Sequence, residues 1–324
     1  MCRVSVLMIV YNSEREVGRA LSSALCQTLA GEDMEVVVVD DGSTDGTADV
    51  VAHFARLNNR LHLVRLPRNM GRSYARNTAL EEARGDYVLF LDADDFLTHD
   101  ALQRLLHATE SGRHDLVIGG RRNFDVKTMQ WREQEHLSTI MKSPLRGCNL
   151  RQYPAAGRDQ FITGKLYSRQ LLQDNGIRFA TERRNAEDIL FAFETWMAAR
   201  SFSYFPDIVY CYAQGNFLGK ATVGKVEDAC SNYMKCIDRI NGIEDNGFQW
   251  EMHINICFNL DGLFLRAAHV LDRQKLAAFM ERFRSFFEDL PPVCLDRSPA
   301  RIRQAAQLVV DGREEQAADL FTQE

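Results

Sequence analysis

The sequence predicts an α/β fold built on a mainly parallel sheet, followed by a helical region. Two observations carry this. Strand-like and helix-like segments alternate through residues 1–120, the pattern of βαβ units. Helical periodicity then takes over beyond a stretch marked by Gly215, Gly219 and Gly224.

Each element has its own signal. Residues 4–10 form a short run rich in β-branched side chains and predict the first strand. Ser13 stands three positions before Glu16, a capping-box spacing that predicts a helix to about Gln27. The valines of 35–39 suit a strand buried on both faces. Asp41-Gly42-Ser43 is a turn, and Ala48, Val51, Ala52 and Ala55 follow at helical spacing. Residues 61–66 read as a third strand, 67–71 as a break and 72–84 as a helix. Residues 87–91 read as a fourth strand that runs into Asp92-Ala93-Asp94-Asp95. A helix from about Asp100 and a strand at 115–118 follow. The pattern weakens over 121–151, where a hairpin and an irregular loop are expected. Residues 162–173 and 188–199 read as helices, and 202–212 as one or two strands. Beyond the glycines, 226–240, 250–271, 274–290 and 301–321 show helical periodicity.

Bulk composition narrows the function classes. The 324 residues carry a net charge of -6, so no nucleic-acid partner is expected. The eight cysteines include no C-x-x-C pair, which reads as reduced thiols in a cytosolic protein. The eight histidines are scattered without metal-ligand spacing. No apolar run approaches the roughly 20 residues that cross a bilayer, so a cytoplasmic protein is expected, with a peripheral place on the inner face of the membrane as a variant. Phe279, Phe283, Phe286 and Phe287 form an apolar helical stripe. It reads first as subdomain core and second as a membrane contact. The C-terminal helices also offer a surface for a homodimer.

In parallel sheets ligands gather outside the carboxyl ends of the strands. Polar clusters stand at those ends here: Tyr11-Asn12, Asp40-Asp41 and Asp92 to Asp95. A core needs no carboxylates there, and grouped carboxylates repel. Three acids within four residues suit a hard divalent cation, with a diphosphate and waters completing its shell. The competing reading is a helix start decorated with acids. Asp41 in its Asp-Gly turn can accept hydrogen bonds from a base or ribose. Arg76, in Ala75-Arg76-Asn77, can orient a diphosphate or serve a surface ion pair. Glu187-Asp188 opens an apolar helix, either as first-turn acids or as a general base for a hydroxyl.

Taken together these segments resemble the family-2 inverting glycosyltransferases. The resemblance runs from residue 4 to residue 212 and includes Gly164-Lys165-Leu166-Tyr167 and Ile177-Arg178-Phe179. It implies a GT-A type nucleotide-binding domain with a mixed, mainly parallel central sheet. Residues 1–120 would be the nucleotide-binding half and 121–214 the acceptor half, with 225–324 a helical subdomain. Tyr11 and Asp41 match positions that hold base and ribose. Asn12 and Glu14 share that pocket wall, and Arg76 lies near the nucleotide. Asp92 and Asp94 match the metal-binding D-x-D, Asp92 also facing the nucleotide, with Asp95 a further candidate ligand. Asp188 matches the catalytic base, and Glu187 would support it or contact the acceptor.

The implied reaction is Mn²⁺- or Mg²⁺-dependent transfer from a nucleotide-diphosphate sugar, most often a UDP-sugar. The acceptor would be a hydroxyl of a glycan, a lipid-linked or a protein-linked chain, in surface glycan or glycoconjugate assembly. Ile9 stands where many relatives carry proline, and no Gln-x-x-Arg-Trp motif is present. Addition of one sugar or a short chain is therefore expected. A metal-dependent phosphohydrolase and a non-catalytic nucleotide-sugar-binding protein are the competing readings. The segment 212–222 is either a hinged lid or an inert linker.

Overall fold

The computed structural model describes residues 3–29, 33–110, 112–132, 140–182, 184–214 and 221–322. The chain divides into two compact units, Met1–Gln152 with Asp159–Phe217, and Tyr153–Arg158 with Leu218–Glu324. Most of the expected lid and linker, 215–220, lies outside the described residues.

The first unit is built on one mixed sheet. Strands β1 (Val4–Val10), β2 (Met34–Asp40), β3 (Leu61–Arg65) and β4 (Tyr87–Asp92) are its parallel half. The other half contains β5 (Phe96–Leu97), β6 (Leu116–Asp125), β7 (Gln130–Arg132), β8 (Leu145–Cys148), β9 (Lys165–Ser168) and β10 (Phe202–Gln214). The order is β3-β2-β1-β4-β9-β6-β10-β5, with β7 on β6 and β8 on β10. β9 runs antiparallel to both of its neighbours, β4 and β6, which makes the sheet mixed.

β2 is buried at every position, as its valine run requires. Helices α1 (Val17–Leu25), α2 (Thr47–Leu57), α3 (Arg72–Glu82) and α4 (Ala101–His107) follow β1, β2, β3 and β5. α1 buries Val17, Ala20, Leu21, Ala24 and Leu25, one helical face. Its start differs from expectation: no side chain caps it, and the Ser13 hydroxyl instead donates to the Tyr11 carbonyl at 3.1 Å. The Ser13 carbonyl accepts from the Glu16 and Val17 N–H groups, so backbone does the capping work.

A larger correction concerns 162–173. The apolar spacing there suggests one helix, but β9 occupies its middle and only α5 (Arg169–Asp174) is helical. The misleading residue is Lys165, a cation fully enclosed in the sheet. Its ammonium lies 3.0 Å from the Asp159 carboxylate, which also takes a 2.6 Å bond from Arg121. Trp196 of α6 (Glu187–Ala198) donates to the Asp159 carbonyl at 2.9 Å. Gly164 precedes the strand with φ +70, and a Cβ there would stand 2.8 Å from the Arg121 side chain.

The second unit is helical: α7 (Val223–Asn241), α8 (Asn246–Ala268), α9 (Arg273–Glu281), α10 (Arg284–Glu288), α11 (Pro292–Asp296), α12 (Ala300–Val310) and α13 (Glu314–Thr322). Thr222, Asp245 and Asp272 cap α7, α8 and α9 with side-chain acceptors. Two stretches expected as single helices are broken, 274–290 around Arg282-Phe283 and 301–321 at Gly312 with φ +74. Phe279, Phe283, Phe286 and Phe287 are all buried, so the stripe is core. The 3₁₀ turn Pro154–Arg158 belongs to this unit through Asn255, which donates to the Pro154 carbonyl at 2.7 Å and accepts from Arg158 at 2.9 Å.

Burial raises the cost of an unpaired charge, and Asp159 is the counter-ion of two enclosed cations. Burial would raise its pKa, but Arg121 and Lys165 outweigh that and hold it below the ordinary carboxylate value. Removing one partner of such a pair costs about 3–5 kcal/mol. Asp159→Ala is therefore expected to lower stability by about that amount in urea unfolding. Lys165→Met should cost less, because Asp159 keeps Arg121 as its counter-ion at 2.6 Å.

Candidate active site

The carboxyl ends of β1, β2 and β4 carry the polar clusters, and α3 and α6 bring further charges to them. Arg76 is the junction. Only 5% of it is exposed, and its guanidinium donates to Glu187 at 2.5 Å and to Asp92 at 3.1 Å. Burial alone would lower its pKa, but Asp92, Glu187 and Asp188 overturn that and keep it raised. Arg72, one helical turn earlier on α3, adds a second cation 3.2 Å from Glu187. Asn77 clamps the backbone of Phe179 in both directions, at 2.9 Å each. Ala75-Arg76-Asn77 thus ties α3 both to the start of α6 and to the loop at Phe179 before it.

These contacts separate two adjacent acids. Glu187 is buried and compensated by two arginines. Asp188 is only partly buried, with its pKa raised to about 6. Burial is the main cause, the Glu187 charge adds to it, and Arg76 and Arg72 oppose it. The residue before the pair, Ala186, is held in the left-handed region at φ 54. Strained backbone of this kind concentrates at functional sites.

The acidic turn after β4 also divides its residues. Asp92 is half-exposed and shares one oxygen with Arg76. Asp94 is exposed, and its pKa is raised by desolvation and by the Asp92 charge. Asp95 turns inward, accepting from the Tyr210 hydroxyl at 2.6 Å and the Ala213 N–H at 2.9 Å. Burial and the charges of Asp92 and Asp94 push its pKa up to about 8.

On the side expected from the sequence to hold a nucleotide, the residues brace loops. Both Asp41 oxygens accept backbone N–H groups, from Met70 at 2.6 Å and Gly71 at 3.0 Å. Its pKa is nevertheless raised, because desolvation outweighs these bonds. Gly42 is required beside it: φ is +72 and a Cβ would meet the Arg68 carbonyl carbon at 2.4 Å. Asn12, at φ 48, accepts from the Thr44 N–H at 2.9 Å, and Glu14 accepts from the Gly46 N–H at 3.1 Å. Tyr11 is 44% exposed at the end of β1. Arg76, Asp92 and Glu187 are in direct contact, with Asp188 beside them, whereas Asp95 is directed into the sheet. Sequence reading missed Arg72 and Tyr210. Arg72 had a signal in its i, i+4 spacing to Arg76; Tyr210, far along the chain in β10, had none.

Asp92 and Asp94 fit a divalent cation. Two like charges are held at one strand end, and the Asp94 carboxylate has no ion-pair partner among the described residues. Among those residues no group of three or more acidic, histidine or cysteine side chains is placed to hold a metal alone. Mg²⁺-type sites commonly use one or two carboxylates and substrate phosphates for the rest.

The model of glycosyl transferase family 2 matches residues 5–176. The chain belongs to that family. A putative glycosyltransferase of Bacillus subtilis, EpsH, is 30% identical over 64% of this chain and 60% of its own length. A poly(ribitol-phosphate) beta-glucosyltransferase of Bacillus spizizenii is 29% identical over 65% of this chain. The aligned part spans only 32% of that relative. Among solved structures, Staphylococcus aureus TarS 1–349 in complex with UDP superposes with a TM-score of 0.81 at 21% identity, over 98% of this chain and 90% of that one. A mannosyltransferase of Pyrobaculum calidifontis in complex with GDP-Man and Mn²⁺ gives 0.58 at 20% identity, over 99% and 86%. These likenesses show the GT-A fold that the family-2 member adopts. Among the described residues no helix is long and apolar enough to cross a membrane.

The site predicts a pH dependence. With Asp188 as the proposed proton acceptor, which works only as the anion, transfer should fall about tenfold per unit below about pH 6 and level off above it. Arg72→Met removes a charge that holds that pKa down, so the midpoint of kcat/KM against pH should move upward.

Proposed function

We propose that the chain transfers a single sugar, with inversion, from a nucleotide-diphosphate donor to an acceptor hydroxyl. The observation that carries this is the contrast at the start of α6: Glu187 is paired with Arg72 and Arg76, and Asp188 beside it is a partly exposed carboxylate with its pKa raised to about 6, which supports it as the base. UDP is the favoured nucleotide, since one structural neighbour is described in complex with it. Relatives named for poly(ribitol-phosphate) support a hydroxyl-rich surface polymer as acceptor. The phosphohydrolase reading loses support, because its nucleophile would have to be Asp92, which Arg76 already holds.

Tyr11 offers an exposed ring to the base, and Asp41 fixes the loop at 70–71 that borders the nucleotide side. Asp92 and Asp94 would hold Mn²⁺ or Mg²⁺, which when bound supplies positive charge against the diphosphate. Asp188 takes the proton of the acceptor hydroxyl as its oxygen bonds to the anomeric carbon from the face opposite the diphosphate. The bond from that carbon to the diphosphate oxygen breaks, and its electron pair leaves with the nucleotide. The configuration inverts, and Asp188 returns its proton to solvent.

Calorimetric titration of UDP, GDP and CDP, each with and without Mn²⁺, tests the donor site. Asp94→Ala should abolish the metal-dependent part of binding. Asp188→Asn should bind donor as the wild type does and lower the transfer rate by about 10²–10⁴. Transfer by Asp188→Asn at the wild-type rate would remove Asp188 as the base. Donor binding without transfer or donor hydrolysis in the wild type would favour a non-catalytic binder.

A further inference from the structure

Asp95 belongs to the acidic run 92–95 but points away from its opening. The residue is 4% exposed, and each of its oxygens accepts from β10, one from the Tyr210 hydroxyl at 2.6 Å and one from the Ala213 N–H at 2.9 Å. The Tyr210 oxygen in turn accepts the backbone N–H of Asp92 at 3.2 Å. The Asp95 N–H donates to the Asp92 carbonyl at 3.1 Å, closing the turn on itself. The acidic turn is therefore fastened to β10 at both of its ends.

Tyr210 is itself fixed. It is fully buried, and its ring stands edge-on to Tyr212 at 5.0 Å. The Tyr212 hydroxyl is hydrogen-bonded to that of Thr163. Tyr210 also pairs with Leu97 of β5 and with Arg121 of β6, so its position is set by strands on both sides. Asp92 meanwhile has its side chain held by Arg76 and its backbone by Tyr210. Asp94 is exposed and outward.

We infer that Asp95 and Tyr210 are positioning residues, which hold the backbone at Asp92 so that the Asp92 and Asp94 carboxylates converge on a divalent cation shared with the donor diphosphate. This rests on the donor reading above. Carboxylates on a free turn would have to be ordered when the cation and diphosphate arrive, and that ordering weakens binding. Partners that orient metal ligands typically contribute 10–100-fold in affinity.

Three variants separate this from a ligand role for Asp95. Tyr210→Phe removes the hydroxyl and keeps the ring, so it should weaken Mn²⁺-dependent UDP binding by about 10–100-fold. UDP binding without metal should stay unchanged in that variant. Asp95→Ala should match Tyr210→Phe. Asp95→Asn keeps an acceptor for Ala213 but leaves the Tyr210 O–H without its carboxylate acceptor, so it should lose less metal-dependent binding than Asp95→Ala does. Asp94→Asn, measured alongside, should lose the metal dependence altogether.

The inference is overturned if Asp95→Asn loses metal dependence as Asp94→Asn does, or if Tyr210→Phe binds Mn²⁺ and UDP as the wild type does. Near-UV circular dichroism checks folding, and if Tyr210→Phe is unfolded, the contrast between Asp95→Asn and Asp95→Ala decides. Failure of the wild type to bind any nucleotide with Mn²⁺ would sink the donor reading and this inference with it. Wild-type binding with Asp95→Asn as damaging as Asp94→Asn would sink this inference alone.

Discussion

A guanidinium with 5% of its surface exposed must have its charge compensated, and Arg76 meets that demand with two carboxylates from distant parts of the chain. Asp92 ends β4, and Glu187, 111 positions after Arg76, opens α6. Leaving the buried Arg76 or Glu187 unpartnered would cost several kcal/mol. The end of the fourth strand, the third helix and the sixth helix therefore cannot be placed independently. Compensation also consumes Glu187. With Arg72 on the same carboxylate, Glu187 is held by two arginines, and the neighbouring Asp188 is the proton acceptor proposed above.

The apolar side of the same junction explains why α6 accepts this placement. Phe191, one turn into the helix, stacks on Phe179 at 4.1 Å with the rings parallel. Phe90 of β4 meets both rings and Tyr167 edge-on, at 5.4 to 5.7 Å. Edge and face contacts of this kind add to simple burial and fix orientation. The Arg76 guanidinium lies 5.3 Å from the Phe179 ring centre, so its charge also meets an aromatic face. Further along the helix, Trp196 joins the buried Asp159 group. The charged end and the apolar body of α6 are thus seated by separate interactions.

The parallel half of the sheet was legible because β1, β2 and β4 are apolar runs with polar stops, and position along such a strand maps onto position in the sheet. The meeting of Arg76 with Asp92 and Glu187 was legible only as a coincidence of charged types near strand and helix ends. Residue types alone left the roles within it open, and the expectation for Asp188 and Glu187 came from the family resemblance. Glu187 and Asp188 are neighbours of one chemical class, and what separates them is which carboxylate the arginines of α3 reach. The same limit applies to Asp92, Asp94 and Asp95, where Tyr210 of β10 decides which acid faces inward. The helix expected over 162–173 failed for a related reason. Lys165 reads as a polar break in an apolar pattern, yet it is buried because Asp159 and Arg121 surround it. Long-range charge pairing overrides local pattern at each of these points.

Backbone strain follows the same map. Four non-glycine residues among those described have positive φ, and two of them, Asn12 and Ala186, stand directly beside candidate site residues. A left-handed non-glycine residue costs on the order of 1–2 kcal/mol. Asn12 offsets part of this through its bonds with Thr44 and Ser43. Ala186 has no side chain able to form such a bond. Its conformation is held by its surroundings, among them Glu187, which two arginines grip and which cannot rotate away without stranding a buried charge. The ion pair that holds Glu187 thereby also braces the turn from which Asp188 projects. Strain at Ala186 and compensation at Arg76 are two sides of one arrangement, in which charge burial supplies the rigidity that a short polar turn lacks.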